Sequence, residues 1–118
     1  MDLPLSAASS RLAREFVVSV TGVPEDVTMA VVVTELVSNA VIHARSRPHL
    51  TVGIDGDAVV VQVADDGPGH PVLQTTESVE TSGRGLTLVD QMAESWGVTT
   101  RPEGTGKVVW ARVILGAT

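Results

Sequence analysis

The segment 24–44 constrains the fold most, because it is apolar nearly all round and yet carries a carboxylate and a carboxamide. Pro24 suits the first turn of a helix, and Glu25 and Asp26 follow it where acidic residues favour the helix dipole. The apolar pattern predicts a largely buried helix from Pro24 to Ala44, although the β-branched run at 31–33 also favours a strand.

Three polar residues, Glu35, Asn39 and His43, form one line along this predicted helix at positions i, i+4 and i+8. Burial of an ionised Glu without partners costs free energy, so the line is expected to face a cavity, a cation or water. The alternative interpretation is that the line is simply the solvent face of the helix, which neighbouring polar residues would broaden.

The rest of the chain predicts an α+β fold. An amphipathic helix is expected from Ser6 to about Val20, with Ala8, Leu12, Phe16 and Val20 on its apolar face and an end at Thr21-Gly22. The strands "LTVGID" and "AVVVQVADD" should form a hairpin around Gly56-Asp57, and "WGVTT" and "KVVWARVIL" a second pair around a glycine turn. With a short helix from about Gly85, this order predicts a two-layer sandwich with helices packed on one face of a mixed, mostly antiparallel β-sheet.

Length and composition exclude several classes of protein. A chain of 118 residues is long enough for one compact core and short for two, so a single domain, 1–118, is expected. Its net charge of −6 disfavours nucleic-acid binding, and the absence of cysteine excludes disulfides and thiolate metal sites. The N-terminus lacks the apolar region of a signal peptide, and no apolar run reaches the roughly 18 residues of a membrane span. A cytoplasmic protein without membrane contact is therefore expected.

The run Asp65-Asp66-Gly67-Pro68-Gly69 follows a valine-rich strand. A carboxylate at a strand end can accept a hydrogen bond from an exocyclic amine, and neighbouring glycines let a flat ring approach the backbone. An ordinary acidic turn explains the same residues. A calcium loop does not, because the later bidentate Glu of an EF-hand is missing.

Two further glycine-rich stretches lie near the ends of predicted elements. Gly83-Arg84-Gly85-Leu86 opens a helix, where free backbone N–H groups and Arg84 could hold a polyphosphate, although a plain turn at the start of a helix is the alternative. Gly104-Thr105-Gly106-Lys107 is fully explained by a hairpin turn. Neither a Walker A sequence nor a G-x-G-x-x-G fingerprint occurs.

Together, in this order, the four motifs closely resemble the GHKL (Bergerat-fold) ATP-binding domain of gyrase-type ATPases and sensor histidine kinases. "ELVSNAVIHA" resembles its N box, "VADDGPG" its D-x-G-x-G box, "GRGLTLV" its G-x-G-L box and "GTGKVVW" its final turn. The ending "NAVIHA", the segment "GRGLTLVDQMAESWGV" and the N-terminal "LPLSAASSRLAREFV" resemble the bacterial anti-sigma-factor serine/threonine kinases in particular.

This resemblance implies a role for each motif. Asn39 would be the ligand of the Mg²⁺ that bridges the ATP phosphates, and Glu35 would be the general base. The predicted ATP-binding residues are Asn39, Asp65 for the adenine amine, Gly67 and Gly69 beside the base, Gly83, Arg84, Gly85 and Leu86 at the phosphates, and Thr105. Residues 70–82 would be the ATP lid, and His43 would have only a supporting role.

The resemblance also implies ATP and Mg²⁺ as cofactors and a Ser/Thr of an anti-sigma-factor antagonist as the phosphate acceptor. Sequestration of a sigma factor and formation of a homodimer are further implied properties. Two alternatives stay open: an ATP-binding module that regulates a partner without phosphotransfer, and the catalytic fragment of a histidine kinase. The second is less attractive because the chain has its own N-terminal helix and no long dimerisation helices.

Overall fold

The computed structural model describes residues 1–22, 26–44, 46–66, 85–100 and 106–114. These residues form three α-helices, one π-helix and four strands. In chain order they are α1 (Ser9–Thr21), α2 (Val27–Ser38), the π-helix (Asn39–Ala44), β1 (His49–Asp55), β2 (Ala58–Asp65), α3 (Gly85–Met92), β3 (Ser95–Thr100) and β4 (Lys107–Ile114).

The four strands make one sheet in the order β1-β2-β4-β3, and every pairing in it is antiparallel. The predicted α+β sandwich is confirmed, although no parallel pair occurs among the described strands. Gly56 and Asp57 close the β1–β2 hairpin as predicted, because Gly56 adopts a φ of 63° that a side chain would disfavour. The central pair, β2 and β4, brings together two segments that are far apart in the sequence.

One face of the sheet is covered by the helices, and the core lies between these two layers. Alternate residues of β2 and β4 point into it: Val59, Val61, Val63, Val109, Ala111 and Val113. From the helices, Val32, Val33, Leu36, Val37, Leu86 and Val89 pack into the same cluster. With so few aromatic residues, this core is built from tightly packed valine and leucine.

The first helix begins and ends close to its predicted bounds, but its buried face is rotated by one position. Gly22 ends α1 in the left-handed conformation, with its N–H bonded to Val18 O. The buried line is Ser9, Ala13 and Val17, whereas Leu12 and Phe16 are only partly buried and Ala8 and Val20 are exposed. The predicted Ala8 to Val20 face was therefore wrong at both ends, because the small Ser9 and Ala13 allow closer packing of α1 against the core.

The second helix is shorter than predicted. Asp26 is its N-cap, and the carboxylate accepts a hydrogen bond of 2.7 Å from the N–H of Met29. The α-helix ends at Ser38, and residues 39–44 continue as a π-helix instead of the α-helix that the pattern predicts. The β-branched run at 31–33 is helical, so packing against the sheet overrides its strand preference.

Candidate functional site

Glu35 and Asn39 lie on consecutive turns where α2 passes into the π-helix. The backbone N–H of Asn39 donates to the carbonyl oxygens of Glu35 and Leu36, which fixes the two side chains one turn apart. Asn39 is only 9% exposed, in a helix otherwise buried by apolar residues. A nearly buried carboxamide at this point is consistent with the interpretation of the polar line as a binding wall and not as a plain solvent face.

Glu35 is half-buried, and burial raises the pKa of its carboxyl group above the ordinary value. No ion pair or hydrogen bond to its carboxylate is found in the described part of the chain. A carboxyl group with a raised pKa is a better proton acceptor near neutral pH than a fully solvated one. The environment of Glu35 therefore suits a general base.

The last six residues of the predicted α-helix, Asn39–Ala44, form a π-helix instead. Hydrogen bonds in a π-helix span five residues instead of four, so this segment does not keep the periodicity of an α-helix. The placement of Glu35 one turn before Asn39 agrees with the predicted line, and the side chain of His43 lies outside the described residues. Insertions of this kind are frequent at functional sites, and no residue in the sequence signals this one.

Asp65, the last residue of β2, points to the helix-covered face of the sheet and is 2% exposed. Its direct partner across the β2–β4 ladder is Lys107 at the start of β4, which is 3% exposed. Lys107 Nζ donates to Asp65 Oδ1 at 3.1 Å and lies 2.9 Å from Oδ2. Asp65, the carboxylate predicted to bind the adenine amine, is thus paired with a buried ammonium group.

A second contact fixes the backbone next to Asp65. The N–H of Asp66 donates to Ser46 Oγ at 2.9 Å, and Ser46 follows the π-helix closely in the chain. The π-helix also packs against β2. The residues that follow the N box are therefore hydrogen-bonded to the start of the D-x-G-x-G box.

The third helix begins at Gly85, as predicted. Leu86 is buried in the core together with Val89, so both side chains hold α3 against the core. Trp96 of β3 donates from Nε1 to Asp90 Oδ1 of α3 at 2.8 Å, which joins the helix to the sheet edge. These contacts anchor the segment that follows the G-x-G-L box.

Several predicted site residues lie outside the described residues, namely Gly67, Gly69, Gly83, Arg84 and Thr105, together with the predicted lid 70–82. Their predicted roles stay predictions. Asp65 and Leu86 are buried, and Glu35 and Asn39 lie on the helical segment that packs against the same side of the sheet.

The described residues offer few ligands for a metal ion. Within the described residues, no group of three or more His, Cys, Asp or Glu side chains is arranged to hold a metal. Asn39 offers a single carboxamide oxygen. Mg²⁺ accepts such a site, because it binds few protein oxygens and takes its other ligands from phosphates and water.

Sequence reasoning missed Lys107, although a signal was present. Lys107, Val109, Ala111 and Val113 alternate along β4, so the pattern that buries the three apolar residues also buries the lysine. A lysine at a core position demands a buried anionic partner. The residue predicted to support the nucleotide pocket is instead Thr105, two residues before Lys107.

Comparison with known proteins agrees with this geometry. The histidine kinase-like ATPase domain family matches residues 3–113, and the chain therefore belongs to that family. Membership of a family of ATPase domains implies ATP binding.

A solved structure, that of the Acinetobacter baumannii histidine kinase AdeS, is similar to this chain with a TM-score of 0.51 and 14% sequence identity. The similarity covers 75% of this chain and 46% of that chain, and at this identity it supports the fold alone. No curated protein matches the sequence. Across the described residues, no helix combines the length and the apolar character needed to cross a membrane.

Proposed function

We propose that this protein is an ATP-dependent serine/threonine protein kinase of the anti-sigma-factor type, which phosphorylates a Ser or Thr of an anti-sigma-factor antagonist. The observation that carries the proposal is the placement of Glu35, with its raised pKa, one helical turn before the buried Asn39. A domain that only bound ATP would have no need of a carboxyl group poised to accept a proton.

In the proposed reaction, Glu35 accepts the proton of the acceptor hydroxyl as its oxygen attacks the γ-phosphorus of ATP. The bond from that phosphorus to the β,γ-bridging oxygen breaks, ADP leaves, and the product is a phosphoserine or phosphothreonine. Most catalysis of phosphoryl transfer comes from positioning and from stabilisation of charge, so a small site suffices. Asp65 would accept the adenine amine, with Gly67, Gly69 and Thr105 beside the base.

Asn39 is the proposed Mg²⁺ ligand. When bound, the ion would neutralise charge on the phosphate oxygens. The phosphates themselves would lie at Gly83, Arg84 and Gly85, with Leu86 packed beneath.

The proposed partners follow from the same assignment. The acceptor is an antagonist protein, and the kinase could also sequester a sigma factor, as a monomer or as a homodimer. A cytoplasmic site of action is consistent with these partners.

The proposal is tested by incubation of the protein with labelled ATP, Mg²⁺ and candidate antagonist proteins from the same genome. We expect acid-stable phosphate on Ser or Thr of one of them. Asn39→Ala should abolish the transfer and the Mg²⁺-dependent part of ATP binding, whereas Arg112→Met, on the opposite face of the sheet, should leave both unchanged.

Other outcomes would favour the alternative functions. ATP binding without transfer to any candidate would favour a regulatory module that acts by sequestration. Acid-labile phosphate on a histidine of a separate dimerisation domain would favour a histidine kinase fragment, for which the match to the histidine kinase-like ATPase domain family is the supporting observation.

A further inference from the structure

The ion pair between Asp65 and Lys107 is buried more completely than the proposed catalytic residues. Both side chains are almost inaccessible, and the two residues face each other directly on neighbouring strands. Burial of two charges in this way carries a large desolvation cost, which only good geometry offsets. Such a pair calls for a reason at the start of β4, where a neutral pair would be less costly.

The chemistry of the two groups suggests that reason. An ionised carboxylate only accepts hydrogen bonds, whereas a protonated one also donates. A carboxyl group buried alone favours the protonated form, because burial disfavours charge. The ammonium of Lys107 contacts both oxygens of Asp65, which is the geometry of an ion pair with an ionised carboxylate.

We propose that Lys107 is a positioning residue that holds Asp65 as an acceptor-only carboxylate and thereby restricts the site to nucleobases with an exocyclic amine. The inference rests on the proposed function, because it takes Asp65 as the group that reads the base. A carboxylate can accept about four hydrogen bonds, so contact with Lys107 does not exclude a further donor.

A carboxylate at position 65 distinguishes nucleobases by the group at one ring position. The amine of adenine donates to the carboxylate, whereas the carbonyl of hypoxanthine at the same ring position presents a second acceptor and is repelled. A protonated Asp65 would donate to that carbonyl and accept both bases. Lys107 would therefore act on selectivity through Asp65, without touching the base.

The test compares the dissociation constants of ATP and inosine triphosphate, measured by calorimetry with Mg²⁺ on the full chain. The wild-type protein should prefer ATP by about tenfold or more, since a hydrogen bond to a charged group contributes at least that factor. In Lys107→Met the preference should fall to about threefold or less. A purely structural role would weaken both nucleotides equally and leave their ratio unchanged.

The matched control is Arg112→Met. Arg112 is on the same strand, but its guanidinium lies on the opposite face, with Nη1 2.8 Å from Glu94 Oε2 and Nη2 3.5 Å from Asp55 Oδ2. This variant loses one positive charge, as Lys107→Met does, and should keep the wild-type ratio. A similar fall in both variants would mean that net charge sets the ratio, and would overturn the inference.

If Lys107→Met does not fold, the double variant Asp65→Asn with Lys107→Met takes its place, because it removes both charges of the ion pair. The Asn amide both donates and accepts, so its ATP preference should also fall to about threefold or less. Retention of the wild-type ratio in either variant would overturn the inference. Equal binding of the two nucleotides by the wild type would do the same, whereas absence of ATP binding would overturn the proposed function as well.

Discussion

Two carboxyl groups on the helix-covered side of this protein have opposite surroundings. Asp65 is fully buried and held by Lys107, whereas Glu35 is half-buried and has no ion-pair partner in the described part of the chain. Burial alone raises the pKa of Glu35, so it can take up a proton. The difference separates two tasks: a paired carboxylate suits the recognition of a base, and an unpaired one suits the acceptance of a proton.

Removal of the partner of Asp65 should have the largest effect on stability. Lys107→Met removes the ammonium partner of a buried carboxylate, and we expect a loss of about 3–5 kcal/mol in the free energy of unfolding. Urea denaturation followed by the fluorescence of the two tryptophans, Trp96 and Trp110, would measure it.

The double variant Asp65→Asn with Lys107→Met is the control for that measurement. It should be less destabilised than Lys107→Met, because a neutral amide costs less to bury than a carboxylate that has lost its ammonium partner. Equal stability of wild type and Lys107→Met would contradict the distinction between the two carboxyl groups.

Removal of the titratable group at position 35 should affect chemistry more than binding. Glu35→Gln keeps the shape of the side chain but cannot accept a proton, so phosphotransfer should fall by about 10²-fold or more. The dissociation constant of ATP should change little. Phosphotransfer assays and calorimetry, run in parallel, measure the two effects. A wild-type rate of phosphotransfer in Glu35→Gln would contradict the role of Glu35 as the general base.

The backbone contact beside Asp65 should have a smaller effect. Ser46→Ala removes the acceptor for the N–H of Asp66 and should cost about 0.5–1.5 kcal/mol in the free energy of unfolding. If the ion pair with Lys107 positions Asp65, the preference for ATP over inosine triphosphate should survive this change. A loss of that preference in Ser46→Ala would show that the backbone contact sets the position of Asp65 instead.

The pH dependence of stability should show the smallest effect. Because the folded-state pKa of Glu35 lies above the ordinary value of 4.5, its contribution is fully present at pH below that value and is lost as the pH rises through the folded-state pKa. Glu35→Gln mimics the protonated form. It should be more stable than the wild type at neutral pH, and this advantage should vanish in acid.

Thermal unfolding of wild type and Glu35→Gln across that range gives the measurement. An advantage that grows towards acid would reverse the sign of the linkage and contradict the raised pKa.

The fold could be predicted from the sequence largely because local patterns decided it. Gly56-Asp57 marked the hairpin, Gly22 marked the end of α1, and the alternating valines marked the strands of the sheet. The rotated face of α1 could not be predicted, since small residues such as Ser9 and Ala13 carry little hydrophobic signal and yet allow the closest packing.

In the candidate site, the sequence pointed to Glu35, Asn39 and Asp65 through polar residues in apolar surroundings. The π-helix after Ser38 was not predictable, because the apolar pattern of this segment is the same as that of a continued α-helix. The pairing of Asp65 with Lys107 required the register of two strands separated by about 40 residues, which no local pattern contains.

The most direct test of the account is a crystal structure of the protein with Mg²⁺ and a non-hydrolysable ATP analogue. We expect the adenine amine within about 3.2 Å of an Asp65 oxygen, with Lys107 still in contact with the carboxylate and the γ-phosphate on the side of Glu35 and Asn39. A nucleotide bound with its base away from Asp65, or with Lys107 displaced from it, would contradict the account.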